Sequence, residues 1–142
     1  MSSEALDALV FLGLISFISN IAPGSLEVVL TVFIHKHTDL AILGWLTATI
    51  FNALGSTLIF LLGNKLPNKK EFSPRTKYLI QKYGSFSLLF SGVPLIGDVL
   101  PLAAGWFRLK ILPSIICLFI GKAVRYGLIV LFLEYVMHKI AN

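Results

Sequence analysis

Ile111–Leu133 is an apolar run of 23 residues, interrupted near its middle by two cations, Lys122 and Arg125. As a helix such a run is about 35 Å long, enough to cross the hydrocarbon core of a bilayer. A charge held at that depth costs about 2.5–3.5 kcal/mol on insertion scales. The run therefore calls for partners, a water-filled cavity or a task for its cations. Lys122 and Arg125 are three residues apart, so they share one helix face, with Tyr126 beside them.

The rest of the composition agrees with a membrane setting. Hydrophobic residues make up 56% of the 142-residue chain and charged residues 13%, about half the charge of an ordinary soluble domain. Mean hydropathy is +0.86. One all-α polytopic membrane domain over residues 1–142 is expected. The net charge of +5 sits beside apolar spans, where it orients the chain in the membrane, so no nucleic-acid partner is expected. The lone Cys117 lies in an apolar run and reads as a buried packing residue. Glu4 and Asp7, with no basic stretch before the first apolar run, argue against a cleavable signal peptide.

In order, Leu6–Ile21 is apolar but short, and Ala22-Pro23-Gly24-Ser25 breaks it. Ser25 is a candidate cap for a second short helix, Leu26 to Ile34, with Glu27 in its first turn. After the polar stretch His35–Asp39, Leu40–Leu62 is a span of 23 residues without formal charge. Gly44, Ala48, Asn52 and Gly55 form a small-residue stripe along it. A basic loop follows over 63–78, kept non-helical in its early part by Pro67 and Pro74. Leu79–Val93 is again short and apolar, Pro94–Gly97 breaks it, and Asp98 opens a segment to Phe107. Ile111–Leu133 and a polar tail over 134–142 complete the chain.

The two halves, about 6–62 and 79–133, repeat one plan. Glu27 follows Pro23 by four residues, Asp98 follows Pro94 by four, and a Val follows each acid. Glu27 precedes Asn52 by 25 residues and Asp98 precedes Lys122 by 24, so Asn52–Gly55 corresponds to Lys122–Arg125. Paired repeats with interrupted apolar segments point to a midplane site in transporters. Each half is expected to be a re-entrant helical hairpin plus one transmembrane helix, the two halves forming an inverted repeat. That topology puts Lys65, Lys69, Lys70, Arg75, Lys77, Lys82, Arg108 and Lys110 on one side, eight cations, against Lys36 and Lys139 on the other. Full crossings would split them seven to three, a weaker bias. The basic loop is accordingly expected in the cytoplasm and both termini outside.

The block Phe90-Ser91-Gly92-Val93-Pro94, followed by Pro101-Leu102-Ala103-Ala104-Gly105, resembles the hairpin signature of the DedA (SNARE-associated, VTT-domain) membrane proteins. Pro23-Gly24 with Glu27 resembles their first hairpin, and Asn52 with Gly55 their Asn-x-x-Gly span. The runs Gly97-Asp98 to Ala104-Gly105-Trp106 and Gly121-Lys122-Ala123-Val124-Arg125-Tyr126 look most like the small YqaA subgroup. The usual family hairpin has arginines three before and three after its first Pro. Here Ser91 and Gly97 stand there, and the cations are on the last span. The resemblance implies a bacterial inner-membrane protein with two opposed hairpins, linked to translocation of undecaprenyl phosphate or phospholipid and to proton-dependent physiology.

The candidate site is Glu27, Asp98, Lys122 and Arg125, with Asn52 as polar neighbour. Both acids fall in the first turn of a half-helix, where the dipole favours negative charge. Lys122 and Arg125 would pair with a phosphate headgroup, the arginine bidentately. The carboxylates would hold the cations in the empty site and take up protons when lipid arrives. The chain reads as a proton-coupled lipid-phosphate transporter rather than an enzyme. The alternatives are a structural or assembly factor that does not transport, and a small proton or ion antiporter. A pair of salt bridges that only locks the fold is the blander reading of the same charges. No metal site or cofactor is expected: His35-x-His37 lacks a third ligand nearby and reads as a solvated turn. Trp45 and Trp106 read as interfacial anchors, and His138 as a surface partner of Glu134. Membrane lipids and protons are the expected partners. Two spans and two hairpins make a thin body for a sealed pathway, which fits a homo-oligomer.

Single cysteines at Ser3, Ser73 and Lys110, in a Cys117→Ala background, test this topology. An impermeant thiol reagent is expected to label positions 73 and 110 from one side and position 3 from the other. Labelling of 73 and 110 from opposite sides overturns the re-entrant hairpin.

Overall fold

The computed structural model describes residues 2–21, 24–67, 72–93 and 96–142. The expected breaks at Pro23 and at Pro94-Leu95, and Lys69, Lys70 and Glu71 of the basic loop, lie outside the described residues. Among the described residues every regular element is helical: α1 Ser3–Ile18, α2 Ser25–Lys36, α3 Ala41–Lys65, α4 Pro74–Tyr83, α5 Ile96–Trp106 and α6 Ile111–Ala141. A short 3₁₀ turn, Thr38–Leu40, leads into α3, and a nine-residue 3₁₀ segment, Gly84–Gly92, joins α4 towards α5.

Two helices are long and apolar enough to cross a bilayer: Thr38–Lys65, which includes the 3₁₀ turn, and Ile111–Ala141. They pack antiparallel. Trp45, near the start of α3, donates its indole N–H to Ala123 O at 3.0 Å. Phe60, near the end of α3, shares a core with Cys117 and Leu118, early in α6. Around this pair the other helices form two apolar cores. One joins Leu12 of α1, Leu26, Leu30, Phe33 and Ile34 of α2, Ala41 and Ala48 of α3, and Tyr126 and Val130 of α6. The second joins Phe60, Ile80 of α4, Leu88 of the 3₁₀ segment, Leu100, Ala103 and Ala104 of α5, and Cys117 and Leu118.

The local boundaries follow from capping chemistry. Ser2 caps α1 by accepting from Ala5 N. Ahead of α2 the N-cap is Gly24 at φ +89°, so the expected capping role of Ser25 is corrected: Ser25 is the first helical residue. The backbone needs a left-handed residue there, and glycine supplies it without a Cβ penalty. Pro74 does not extend the loop. It opens α4, with Ser73 Oγ accepting from Thr76 N at 3.3 Å, because proline at the first helical position forfeits no hydrogen bond. The expected apolar arm Leu79–Val93 is therefore two elements, divided at Gly84 with φ +56°. The last helix also exceeds its apolar run: residues 134–141 continue α6 as helix, where a polar tail was expected.

The residues that follow α1 and those that end the 3₁₀ segment each lie beside the middle of a long helix. After α1, Asn20 donates to Asn52 O of α3 at 3.1 Å. After the 3₁₀ segment, Gly92 sits against Gly121 O and Arg125 Cβ of α6. The second arm is short, and its 3₁₀ winding helps it reach this depth. Nine residues extend about 18 Å in that form, against about 13 Å as α-helix.

The closest helix approach is α3 against α5. A Cβ added at Gly105 would overlap Phe60 O, and one at Gly63 would overlap Leu102 O. Small residues on apposed helices draw backbones together where apolar burial from water gives no drive. Gly105→Leu is expected to destabilise the fold by about 1–3 kcal/mol or more, the range for overpacking a filled interface. Its thermal midpoint in detergent micelles, compared with that of exposed Ile42→Leu, is the check.

Candidate functional site

The sequence-derived charges come together. Glu27 reaches them from the first turn of α2 and Asp98 from the first turn of α5. Lys122 and Arg125 project from one face of α6. Arg125 Nη2 donates to Glu27 Oε1 as a charge-assisted hydrogen bond. Asp98 Oδ1 stands between both cations, 3.7 Å from Lys122 Nζ and 3.9 Å from Arg125 Nη1. Arg125 thus ties the two hairpins to one helix, because each of its terminal nitrogens faces a carboxylate from a different half of the chain.

Burial grades across the cluster. The Lys122 side chain is 0% exposed, Arg125 11%, Asp98 15% and Glu27 27%. Lys122 Nζ has no hydrogen-bond partner among the described residues and depends on Asp98 for its charge balance. A cavity of about 10 Å³ lies among the charges, lined by Ser19, Gly24, Glu27, Asn52, Asp98, Arg125 and Tyr126, among others. That volume suits about one water molecule.

Asn52 lines the cavity but serves mainly as a clasp on the first hairpin. Its Nδ2 donates to Ser16 O at 2.9 Å and to Ser19 Oγ at 2.7 Å. Its Oδ1 is buried without a partner among the described residues. Ser56 Oγ donates to Asn20 Oδ1 at 2.5 Å, and Asn20 Nδ2 also donates to Phe17 O. A Cβ at Gly55 would meet Asn20 and Phe17 O. On α6 the contacts with the second half of the chain are of another kind. Gly121 admits Leu88 O, Leu89 O and Ser91 Oγ at close range, and Lys122 meets Asp98 by charge.

Sequence reading missed Asn20, Ser56 and Ser91. Each is one polar residue in an apolar segment, a pattern that also describes residues bonded only to their own helix, as Thr57 is to Ala53 O. Trp45 is corrected from interfacial anchor to interhelix clasp: its N–H is spent on Ala123 O, one residue after Lys122. Trp106 keeps a place at the edge of the basic loop, donating to Pro67 O at 3.3 Å and meeting Phe72 edge-on.

Two helices of bilayer length, one of them tied by buried charges to two short helices, make an all-helical protein suited to a membrane. Over 114 residues the chain is 38% identical to the inner membrane protein YqaA of Escherichia coli strain K12, covering 78% of this chain and 80% of that one. The YqaA protein of Shigella flexneri matches to the same extent. An uncharacterized protein of Haemophilus influenzae strain Rd is 38% identical over 84 residues, 57% of this chain and 54% of its own length. No family model matches the chain, and no solved structure matches it. The chain belongs to the family of the inner membrane protein YqaA, and is a bacterial inner-membrane protein.

Arg125, which faces both acids, carries more weight than Glu27. Glu27→Gln leaves Arg125 beside Asp98 and is expected to cost about 1 kcal/mol, the scale of one hydrogen bond. Arg125→Leu strips a partner from both acids and is expected to cost about 3 kcal/mol, because unpaired buried charge remains. Unfolding in detergent micelles measures both, and equal effects would contradict the shared role of Arg125.

Proposed function

We propose that this chain is a transporter of the DedA type that moves a lipid phosphate, undecaprenyl phosphate or a phospholipid, across the inner membrane, coupled to protons. The carrying observation is the meeting of Glu27 and Asp98, from two chain reversals, at two cations midway along one spanning helix. Intramembrane ions of this kind mark pathways far more often than they serve as filler.

The same reading makes each half a re-entrant hairpin with one span, related as an inverted repeat, with the basic loop in the cytoplasm. Its supports are the reversals beside Asn52 and Gly121, well short of the far ends of α3 and α6, and the antiparallel spans. The packing is also exchanged between halves. The first arm of each half lies on its own span, α1 on α3 and the 3₁₀ segment on α6, while α5 lies chiefly on α3 and α2 touches both α3 and α6.

In the transport cycle the closed cluster is the empty state. A phosphate entering from either side takes the place of the carboxylates at Arg125 and Lys122. Arg125 offers a planar pair of N–H donors to phosphate oxygens, and Lys122 adds a compact charge. Glu27 and Asp98, left without cations in apolar surroundings, are neutralised by protons. Departure of the lipid restores the ion pairs and releases those protons. The hairpins must part for this to happen, since a cavity of about 10 Å³ holds no phosphate.

That cavity also favours a second reading, a small proton or ion antiporter, because it suits a water or proton as it stands. Proteoliposomes carrying a pH-sensitive dye and a labelled phospholipid, or labelled undecaprenyl phosphate, separate the two. Lipid movement with proton flux is expected. Proton flux alone favours the antiporter, and silence in both assays favours an assembly role. Lys122→Met and Asp98→Asn are each expected to lower lipid movement at least about tenfold, the scale of a lost charge-assisted contact, while the protein stays folded and inserted. Wild-type rates in both variants would reduce the cluster to a structural lock.

A further inference from the structure

The charge cluster leaves α4 unexplained. Arg75, Tyr78 and Lys82 lie at spacings of three and four, so they share one face of the helix. That face is open: Arg75 and Lys82 are exposed and Tyr78 is 57% exposed. The opposite face buries Thr76 and Ile80 against the second core. Lys82 Nζ donates to Tyr78 Oη at 2.9 Å and stands 5.3 Å from the ring centroids of both Tyr78 and Tyr83. The Tyr83 ring in turn meets Phe90 at 5.8 Å. An aromatic strip therefore runs from Phe90 in the apolar 3₁₀ arm to the ammonium of Lys82. Phe86, in that arm, is 68% exposed.

The level of this strip is that of a membrane boundary. Phe72, Trp106 and Phe107 pack together beside α4, where the basic loop meets the apolar arms, and aromatic residues gather at headgroup depth. Among the described residues the charge at this end has one sign. Lys65, Arg75, Lys77, Lys82, Arg108 and Lys110 lie here, and no carboxylate does among the described residues. The hydrogen bond with Tyr78, reinforced by Tyr83, holds the pKa of Lys82 above its ordinary value, so its charge persists at neutral pH.

We propose that α4 is a docking site for an anionic phospholipid of the leaflet facing the basic loop. The phosphate sits at Lys82 and Arg75, the glycerol region lies over Tyr78 and Tyr83, and an acyl chain follows Phe86 and Phe90. Positive charge above and aromatic surface below complement an anionic amphiphile, and tyrosines that orient the ammonium make the site local rather than diffuse. The site does not depend on the transport reading, since it lies on a different element from Lys122 and Arg125 and serves a static protein equally well.

Native mass spectrometry of the full chain, titrated with phosphatidylglycerol or phosphatidylcholine, tests it. Preferential retention of phosphatidylglycerol is expected. Lys82→Gln and Arg75→Gln should each weaken that retention about fivefold, the scale of one cation at a membrane surface. Lys110→Gln, at the same end but off α4, should leave it unchanged. Equal retention of the two lipids, or no loss in either α4 variant, overturns the proposal. So does an equal loss with Lys110→Gln, which would mean surface charge without a site.

Discussion

A lysine ammonium closed off from solvent midway along a spanning helix sets the terms for this fold. Lys122 sits near the middle of α6 with its side chain closed off from solvent, too far from either helix end to snorkel to an interface. A carboxylate has to be brought to it, and α5 does this by starting beside α6 with Asp98 in its first turn. Starting a helix there requires the chain to reverse there. Gly92 and Gly121 let the 3₁₀ segment press against α6 with almost no side chain between the backbones, and Gly97 lets the start of α5 close on the Ser91 backbone. Charge, interrupted helix and close approach form one constraint.

The two hairpins satisfy that constraint differently. The first is held to α3 by uncharged bonds from Asn52, Ser56 and Asn20. The second has its ion pairs at 3.7 and 3.9 Å, beyond ordinary hydrogen-bond length. Uncharged bonds in an apolar medium are directional and local. Longer-range charge pairing tolerates displacement, and its strength depends on the dielectric around it. Asn52 and Lys122, each near the middle of its long helix, thus hold neighbouring segments with different chemistry.

Much of this was legible in the sequence because it rests on period and register. Run length gave the spans. The equal spacing from Pro to acid placed Glu27 and Asp98 in first turns, where α2 and α5 hold them. What was not legible depends on which neighbour a residue finds. Trp45 near a helix start looks like an anchor until α6 presents Ala123 O to it. Leu79–Val93 reads as one apolar arm because hydropathy is blind to the left-handed turn at Gly84 that divides it. Ser25 looks like a cap by type, yet the positive φ needed at the preceding position gives the role to Gly24.

The placement of charge between the halves has a mechanical consequence. If each hairpin were paired with a cation on its own span, either could shift without disturbing the other. Here both cations lie on α6, and Arg125 faces Glu27 on one side and Asp98 on the other. Displacing either acid leaves Arg125 seeking the remaining one, so the energy of one reversal depends on the position of the other. A single guanidinium with two carboxylates couples them at close range, without a rigid connection through the apolar cores. Tyr126, the next residue, fixes the frame of this coupling: it is buried in the first core with Leu12, Leu26 and Leu30, while the arginine head stays partly open.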